Sequence, residues 1–375
     1  MYNIFVDELR KNGIDFFTGV PDSYLNGFCR YLSQNCTNEN NVITANEGNA
    51  IALAAGYYIA TGKIPVVYMQ NSGLGNAVNP LVSLTDKNVY SIPMILVIGY
   101  RGEPETNDWA QHSRQGQITV DLLKLMNIKS TIIDRDSNIE EEIKACIDTI
   151  EKEKSSYAFV IKKGVFTEKK SDITDINYSM GRMEAIEAVL DYYGDNAIFI
   201  ATTGRATREL YHLREERGEA HNNDFLNVGA MGHTSSIAMG IALKNKAKKV
   251  VCLDGDGALV MHLGAMTTAK RLGLTNFIHI VLNNGVHESV GGEPTAGYMV
   301  DFTTIARGCG YATMDREISD KAELLLALNN LSEADKPIFL DVRVHQGLGK
   351  GVRPLNINHK DLLEQMVEEL NIIEE

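Results

Sequence analysis

Cationic charge is scarce in this 375-residue chain: 36 lysines and arginines stand against 49 aspartates and glutamates, for a formal net charge of −13. No long basic run offsets that balance. Nucleic-acid affinity comes mainly from clustered cations that neutralise phosphates, so a polyanion partner is excluded, and any phosphate bound here must be small and locally cradled. Cysteine is sparse too. Cys29, Cys36, Cys146, Cys252 and Cys309 are odd in number, widely spaced and without a CxxC pair, so they read as reduced thiols, several of them in the core. Long apolar runs are also missing. The longest, residues 93–98, is far too short to cross a bilayer. The opening MYNIFVDELRKNG puts Asp7, Glu8, Arg10 and Lys11 where a signal peptide needs an apolar stretch, so a soluble cytoplasmic protein without a membrane partner is expected. There is no GxxxxGK[ST] loop, and no GxGxxG follows an expected strand, which argues against a nucleotide binder.

What is present is ordinary globular material, 44% hydrophobic and 23% charged, in a chain long enough for two domains. Short apolar runs alternate with longer segments of helical period, the pattern of parallel strands joined by crossover helices. Strands are expected over residues 16–20, 42–44, 65–70, 93–99, 130–133 and 157–161, and again over 197–201, 249–254, 277–283 and 338–344. Between the two sets the sequence turns polar without an apolar period. The reading is α/β: a domain over 1–165, a linker over 166–180 and a domain over 181–375, each a mostly parallel sheet flanked by helices. No short-period repeat is visible. In such sheets ligands sit at the carboxyl ends of the strands, so the glycine-rich turns there are the places to search.

The most informative turn is Asp254-Gly255-Asp256-Gly257-Ala258, at the end of an expected strand and ahead of a helix expected to run through Leu272. Its two glycines allow a tight turn and close approach to an anion, and a helix start offers free N–H groups. Asp256 would repel a bare diphosphate unless a cation stood between them, which implies Mg²⁺ or Ca²⁺. Twenty-five residues, 258–282, separate Gly257 from Asn283 and Asn284, room for a helix and a strand that return the pair to the same sheet edge. Either tripeptide alone reads as a plain turn; together, at this spacing, they read as a site.

This arrangement resembles the thiamine-diphosphate fingerprint of 2-oxo-acid decarboxylases and their relatives. The resemblance implies thiamine diphosphate and Mg²⁺ as cofactors. Asp256, the Asn284 side chain and the Val286 carbonyl would hold the metal, and Gly255, Gly257 and Ala258 would border the diphosphate. Upstream, Val228-Gly229-Ala230-Met231-Gly232-His233 resembles the family's aminopyrimidine loop, with the Gly229 carbonyl accepting from the exocyclic amine and Met231 wedging the cofactor into its bent form. Thiamine chemistry also needs an acid for the pyrimidine ring nitrogen. Asn46-Glu47-Gly48-Asn49-Ala50, opening an alanine-rich helix, resembles the family's pyrimidine-binding domain and puts that acid on Glu47. The loop Asn71-Ser72-Gly73-Leu74-Gly75-Asn76 resembles a glycine-rich loop near the active site. The family builds its site between two subunits, so a homodimer or larger is implied.

Most members carry a third, central domain that this chain has no room for. The compact layout resembles the phosphonopyruvate and sulfopyruvate decarboxylases. Thr18-Gly19-Val20-Pro21-Asp22-Ser23, Thr202-Thr203-Gly204-Arg205 and the run from Asn283 to Thr295 look most like the phosphonopyruvate group. That resemblance implies decarboxylation of 3-phosphonopyruvate to phosphonoacetaldehyde and CO₂, in phosphonate (2-aminoethylphosphonate) biosynthesis. The phosphonate needs cations beyond those that hold the cofactor. Arg205 is the first candidate; Arg114, Lys350 and Arg353 are weaker ones that read rather as solvated surface charges. His112, expected in the loop between strand and helix, resembles a proton-transferring histidine; His287 and Glu288, just past the metal ligands, are further candidates on the substrate side. A sulfopyruvate decarboxylase, an acetolactate-synthase-like carboligase and a nucleotide-binding α/β protein without thiamine remain the alternatives.

Overall fold

The computed structural model describes residues 1–168, 178–355 and 357–372. The chain divides into two compact units, residues 1–171 with 289–293, and residues 172–288 with 294–375. Most of the expected linker, 169–177, lies outside the described residues. Phe166, at the start of that stretch, belongs to the first unit's core, stacked on Phe28 with ring centroids 5.9 Å apart. One aromatic in a polar run carries no period, so the pattern passes over it.

The first unit holds strands β1 (Phe17–Gly19), β2 (Asn41–Ile43), β3 (Val66–Gln70), β4 (Ile95–Gly99), β5 (Lys129–Ile133) and β6 (Tyr157–Ile161), in the order β2-β1-β3-β4-β6-β5. The second holds β7 (Ala197–Ala201), β8 (Asp224–Leu226), β9 (Lys249–Gly255), β10 (Phe277–Asn283), β11 (Ala312–Thr313) and β12 (Ile338–Arg343), in the order β11-β12-β10-β9-β7-β8. Every pairing is parallel. Counting β7 to β12 as one to six and reading from the other edge, both sheets are 2-1-3-4-6-5. The chain therefore contains the same sheet twice, a repeat that no short sequence period reveals.

The central strands are buried on both faces, as parallel strands under crossover helices must be. Their side chains alternate between two cores per sheet. In β4, Ile95 and Val97 enter one and Leu96 and Ile98 the other; in β10, Ile278, Ile280 and Leu282 oppose Phe277 and Val281. Within β10 the buried His279 is polar and faces Asp254 at 3.1 Å, and the strand ends on the buried Asn283. The two strands without a sequence signal, β8 and β11, are short edges. In β8 the buried Asp224 interrupts the apolar run and is held by Arg214 through contacts of 3.0 and 3.1 Å. In this strand order the first and third strands send their connections to opposite sides, which opens a crevice at their carboxyl ends. It lies past β1 and β3 in the first unit and past β7 and β9 in the second.

Candidate active site

In the second unit β9 ends at Gly255, and Asp256 starts a short helix, Asp256–Met261. The continuous helix expected through Leu272 is broken. A single turn over Leu263–Ala265 intervenes before Met266–Leu272, because His262 leaves helical geometry to stack on His233 with centroids 4.3 Å apart. Neither glycine of the turn has a positive φ, so tight turning is not what they supply. A Cβ on Gly257 would press on the His287 ring at 3.1 Å, whereas one on Gly255 would meet nothing closer than 3.9 Å. Gly255 leaves open space, whereas Gly257 is half-buried against His287 and Thr295, and Ala258 is buried.

The Asp256 carboxylate is 2% exposed. It accepts from its own N–H, from those of Gly257 and Asn284, and from the Thr295 hydroxyl, which lies in a close contact. Burial pushes its pKa up to about 6, against those hydrogen bonds. The Asn pair does return to this edge, but its two members differ. Asn283 is committed to structure, donating to the Gly297 carbonyl at 2.8 Å and to Asp341 at 3.1 Å. Asn284 donates to Glu288 at 3.0 Å, and among the described residues its Oδ1 accepts from the Val286 N–H at 3.3 Å. The Val286 carbonyl accepts from the Glu288 N–H at 2.9 Å. Gly297 closes the pocket: a Cβ there would lie 2.4 Å from the Asp256 carboxylate. Thr295 ends a quoted run without being given a role, and Gly297, just beyond it, was missed.

The loop after β8 reaches the same place. Asn227 shapes it, accepting from the Gly229 and Ala230 N–H groups and donating to the Ala230 carbonyl at 2.9 Å and to Thr234 at 2.9 Å. Gly229 is exposed, its carbonyl accepting from Met231 N–H at 2.9 Å, and Met231 is half-buried. Gly232, at φ +81°, packs against Met261 and His262, tying this loop to the helix that Asp256 opens.

Arg205 and Glu288, both candidates on the substrate side, are partners. Arg205 Nη1 lies 2.5 Å from Glu288 Oε1, and Arg182 Nη1 lies 3.0 Å from Oε2. Arg182 also binds Glu209 at 2.7 and 3.2 Å. Desolvation lowers the Arg205 pKa and pushes the His287 imidazole down to about 4, so His287 is neutral near pH 7. Arg114, Lys350 and Arg353 are exposed, as surface charges should be.

In the first unit Asn46 caps the helix Glu47–Thr61 by accepting from Asn49 N–H at 2.9 Å, which sets Glu47 at the first turn. Glu47 is buried, receives Asn76 Nδ2 at 2.7 Å, and has its pKa raised by desolvation. Gly73 makes room for it, since a Cβ would stand 2.4 Å from Oε1. The expected loop over 71–76 is helical instead, a single turn at Asn71–Gly73 running into Leu74–Leu84; the Asn71 side chain anchors it to the Arg101 carbonyl at 2.7 Å and to Thr119 at 2.9 Å. His112 is likewise not in a loop but in the first turn of the helix Ala110–Leu125. Burial, and then the nearby Arg101, lower its pKa to about 4. A second buried carboxylate, Asp22, stands at the crevice past β1 and β3, bonded to Gln70 at 2.5 Å and to Tyr24 N–H at 3.0 Å, its pKa also raised by burial. Asp22 lay inside a motif noticed in the sequence without being given a role.

A divalent cation fits the second unit. Asp256 is a buried carboxylate whose hydrogen-bond donors are neutral, with no lysine or arginine among the described residues ion-paired to it, and the neighbouring Asn284 amide and Val286 carbonyl offer oxygen, the donor a hard cation takes. Comparison with known proteins agrees. Residues 1–125 match the thiamine pyrophosphate enzyme N-terminal TPP binding domain, and residues 202–342 the corresponding C-terminal TPP binding domain; thiamine pyrophosphate is thiamine diphosphate. Phosphonopyruvate decarboxylase of Streptomyces viridochromogenes is 32% identical over 353 residues, which cover 89% of this chain and 86% of that protein. The protein of the same name from Streptomyces hygroscopicus is 31% identical, covering 89% and 85%. Sulfopyruvate decarboxylase of Methanosarcina acetivorans is 26% identical, covering 91% and 90%. With two thiamine-diphosphate-binding domains in this order, the chain belongs to the thiamine-diphosphate-dependent decarboxylase family that includes phosphonopyruvate decarboxylase.

Proposed function

We propose that the chain converts 3-phosphonopyruvate to phosphonoacetaldehyde and CO₂, using thiamine diphosphate and Mg²⁺, as a step of phosphonate biosynthesis in the cytoplasm. The observation that carries this substrate is the 32% identity over 86% of a protein named phosphonopyruvate decarboxylase, against 26% over a similar span for the single-chain sulfopyruvate decarboxylase of Methanosarcina acetivorans, while separate sulfopyruvate decarboxylase subunits match at 26–35% over only 25–50% of this chain. Among the described residues no helix is long and apolar enough to cross a membrane. Residues 1–165 are assigned as the pyrimidine-binding domain and 181–375 as the diphosphate-binding domain, in a homodimer or larger with sites shared between subunits.

When bound, thiamine diphosphate supplies the electron sink that loss of CO₂ from a 2-oxo acid requires. Asp256, Asn284 and the Val286 carbonyl are assigned to Mg²⁺. Gly255, Gly257 and Ala258 are assigned to the diphosphate, and Gly229 and Met231 to the aminopyrimidine. Glu47, which burial keeps protonated to a higher pH than an exposed glutamate, is the group that exchanges a proton with the pyrimidine ring nitrogen. His112 and His287, both neutral near pH 7, are the proton carriers proposed for the substrate carbon, and Arg205 is the cation proposed for the phosphonate.

The test is incubation of the purified protein with Mg²⁺, thiamine diphosphate and phosphonopyruvate, following aldehyde with a coupled reductase. One aldehyde per CO₂ is expected. Preferential consumption of sulfopyruvate would overturn the substrate, carbon–carbon bonded products would indicate a carboligase, and thermal stabilisation by ATP or NAD but not by thiamine diphosphate would overturn the class.

A further inference from the structure

An asparagine amide presents either oxygen or nitrogen, and only the oxygen can ligate a cation. Inside a protein, the hydrogen-bond partners decide which end faces where. Asn284 is 4% exposed, so water does not settle its orientation. Its nitrogen lies 3.0 Å from Glu288 Oε2, and a carboxylate only accepts, so the NH₂ must point to Glu288 and Oδ1 away from it. The other neighbour of the amide, Val286 N–H at 3.3 Å, is too distant to fix the orientation alone.

Glu288 itself has no spare capacity. Oε2 receives Arg182 and Asn284, both at 3.0 Å, and Oε1 receives Arg205 at 2.5 Å and the Gly347 N–H in a close contact. Arg182 in turn is fixed by Glu209 and by the Gly347 carbonyl at 2.9 Å, and Glu209 by the Gly349 N–H at 2.9 Å. Two arginines and two glutamates thus form a neutral, interlocked set. Buried ion pairs of this kind are weak contributors to stability, and an apolar set of equal volume does as well or better. What an apolar set cannot do is present an oriented acceptor to Asn284.

We infer that Glu288 is a positioning residue: held in place by Arg182 and Arg205, it turns the Asn284 amide so that its oxygen is offered to the cation. The inference rests on the assignment of Asn284 as a metal ligand. It moves Glu288 from the substrate-side candidates to the support of the metal site, together with its pair to Arg205.

The test is calorimetric titration of Mg²⁺ into chelator-treated protein at saturating thiamine diphosphate, which reads affinity rather than turnover. In Glu288→Gln one acceptor becomes a donor, and Mg²⁺ affinity is expected to fall about tenfold or more, the usual effect of losing an outer-shell partner. The swap Asn284→Asp with Glu288→Gln moves the carboxylate to the ligand position, where both ends are oxygen and no orienting is needed, so it should recover most of that loss. Unchanged affinity in Glu288→Gln, or a double variant no better than the single, overturns the inference. If Glu288→Gln does not fold, a structure of the loaded wild-type protein decides: Asn284 nitrogen bonded to Glu288 supports it, and any other partner overturns it. Should the wild-type protein take up no Mg²⁺ with thiamine diphosphate, or Asp256→Ala bind it unchanged, the cofactor assignment fails and this inference with it; loss confined to Asp256→Ala, with Glu288→Gln unaffected, sinks the inference alone.

Discussion

The two units share one strand order, yet the chemistry at their carboxyl edges is different. In the first, the buried groups are carboxylates met by neutral amides: Glu47 by Asn76 and Asp22 by Gln70, each with its pKa raised by desolvation. In the second, the buried carboxylate Asp256 is ringed by N–H and hydroxyl donors, asparagine oxygens and glycines, beside a neutral quartet of arginines and glutamates. One edge is suited to holding and releasing protons, the other to gripping a cation and an anion. The scaffold is common and the sites are grafted onto its loops, so the fold alone implies neither activity.

The sharpest way to break that division is to remove the carboxylate each unit is proposed to depend on. Asp256→Ala should abolish cofactor retention after gel filtration in the presence of Mg²⁺; retention equal to wild type would deny the second unit its gripping role. Glu47→Gln should leave retention intact and lower turnover by about 10²- to 10⁴-fold, the range for a positioned acid–base group. A Glu47→Gln protein that loses its cofactor, or works at full rate, would erase the distinction.

A smaller effect is expected from the two glycines of the Asp254–Ala258 turn. A Cβ at Gly255 meets nothing closer than 3.9 Å and the residue has φ −116°, so Gly255→Ala should leave the thermal midpoint of the cofactor-free protein unchanged. If Gly255 borders the diphosphate, the same variant should bind thiamine diphosphate several-fold more weakly, about 1 kcal/mol or more in binding. Unaltered affinity would mean that the open space beside Gly255 is not where the diphosphate lies.

How much of this was legible in the sequence follows from where each residue gets its constraint. β3, β4, β6, β9, β10 and β12 are covered on both faces and had to be apolar, so they could be read directly. β8 and β11 could not: two or three residues at an edge need little apolar surface, and Asp224 hides in an ion pair. Asp256, Asn284 and Glu47 could be proposed from sequence because they stand in stretches after strands that resemble the motifs of the thiamine-diphosphate family. The residues around them were given no role of their own, even where they stood in a quoted stretch, because their roles lie in geometry. Gly73 and Gly297 matter for the absence of a Cβ beside a carboxylate, Asn76 and Thr295 for a single donor, and Arg182 and Glu209 for a network whose members are 27 and 106 residues apart in sequence. Arg205 was legible as a cation but not as Glu288's partner. No local pattern encodes such distances.

The smallest predicted effect concerns pH and tests the comparison from the side of stability. Asp256 has its pKa raised to about 6 by burial, above its value in an unfolded chain, so the native state holds that proton more tightly. Its contribution to the stability of the cofactor-free protein is therefore present at low pH and lost as pH rises through about 6, by on the order of 1–3 kcal/mol. Cofactor binding has the opposite slope, because the metal needs the ionised carboxylate, and should strengthen over the same interval. Asp341, also near 6, and the raised Glu47 and Asp22 add slopes of the first sign, so the informative quantity is the difference between wild type and Asp256→Asn. That difference, read from thermal midpoints between about pH 5 and pH 7.5, should be visible without cofactor and should reverse sign when Mg²⁺ and thiamine diphosphate are added. Identical pH slopes in wild type and Asp256→Asn would show that Asp256 does not titrate as a buried carboxylate, and the contrast between the two units would then rest on Glu47 alone.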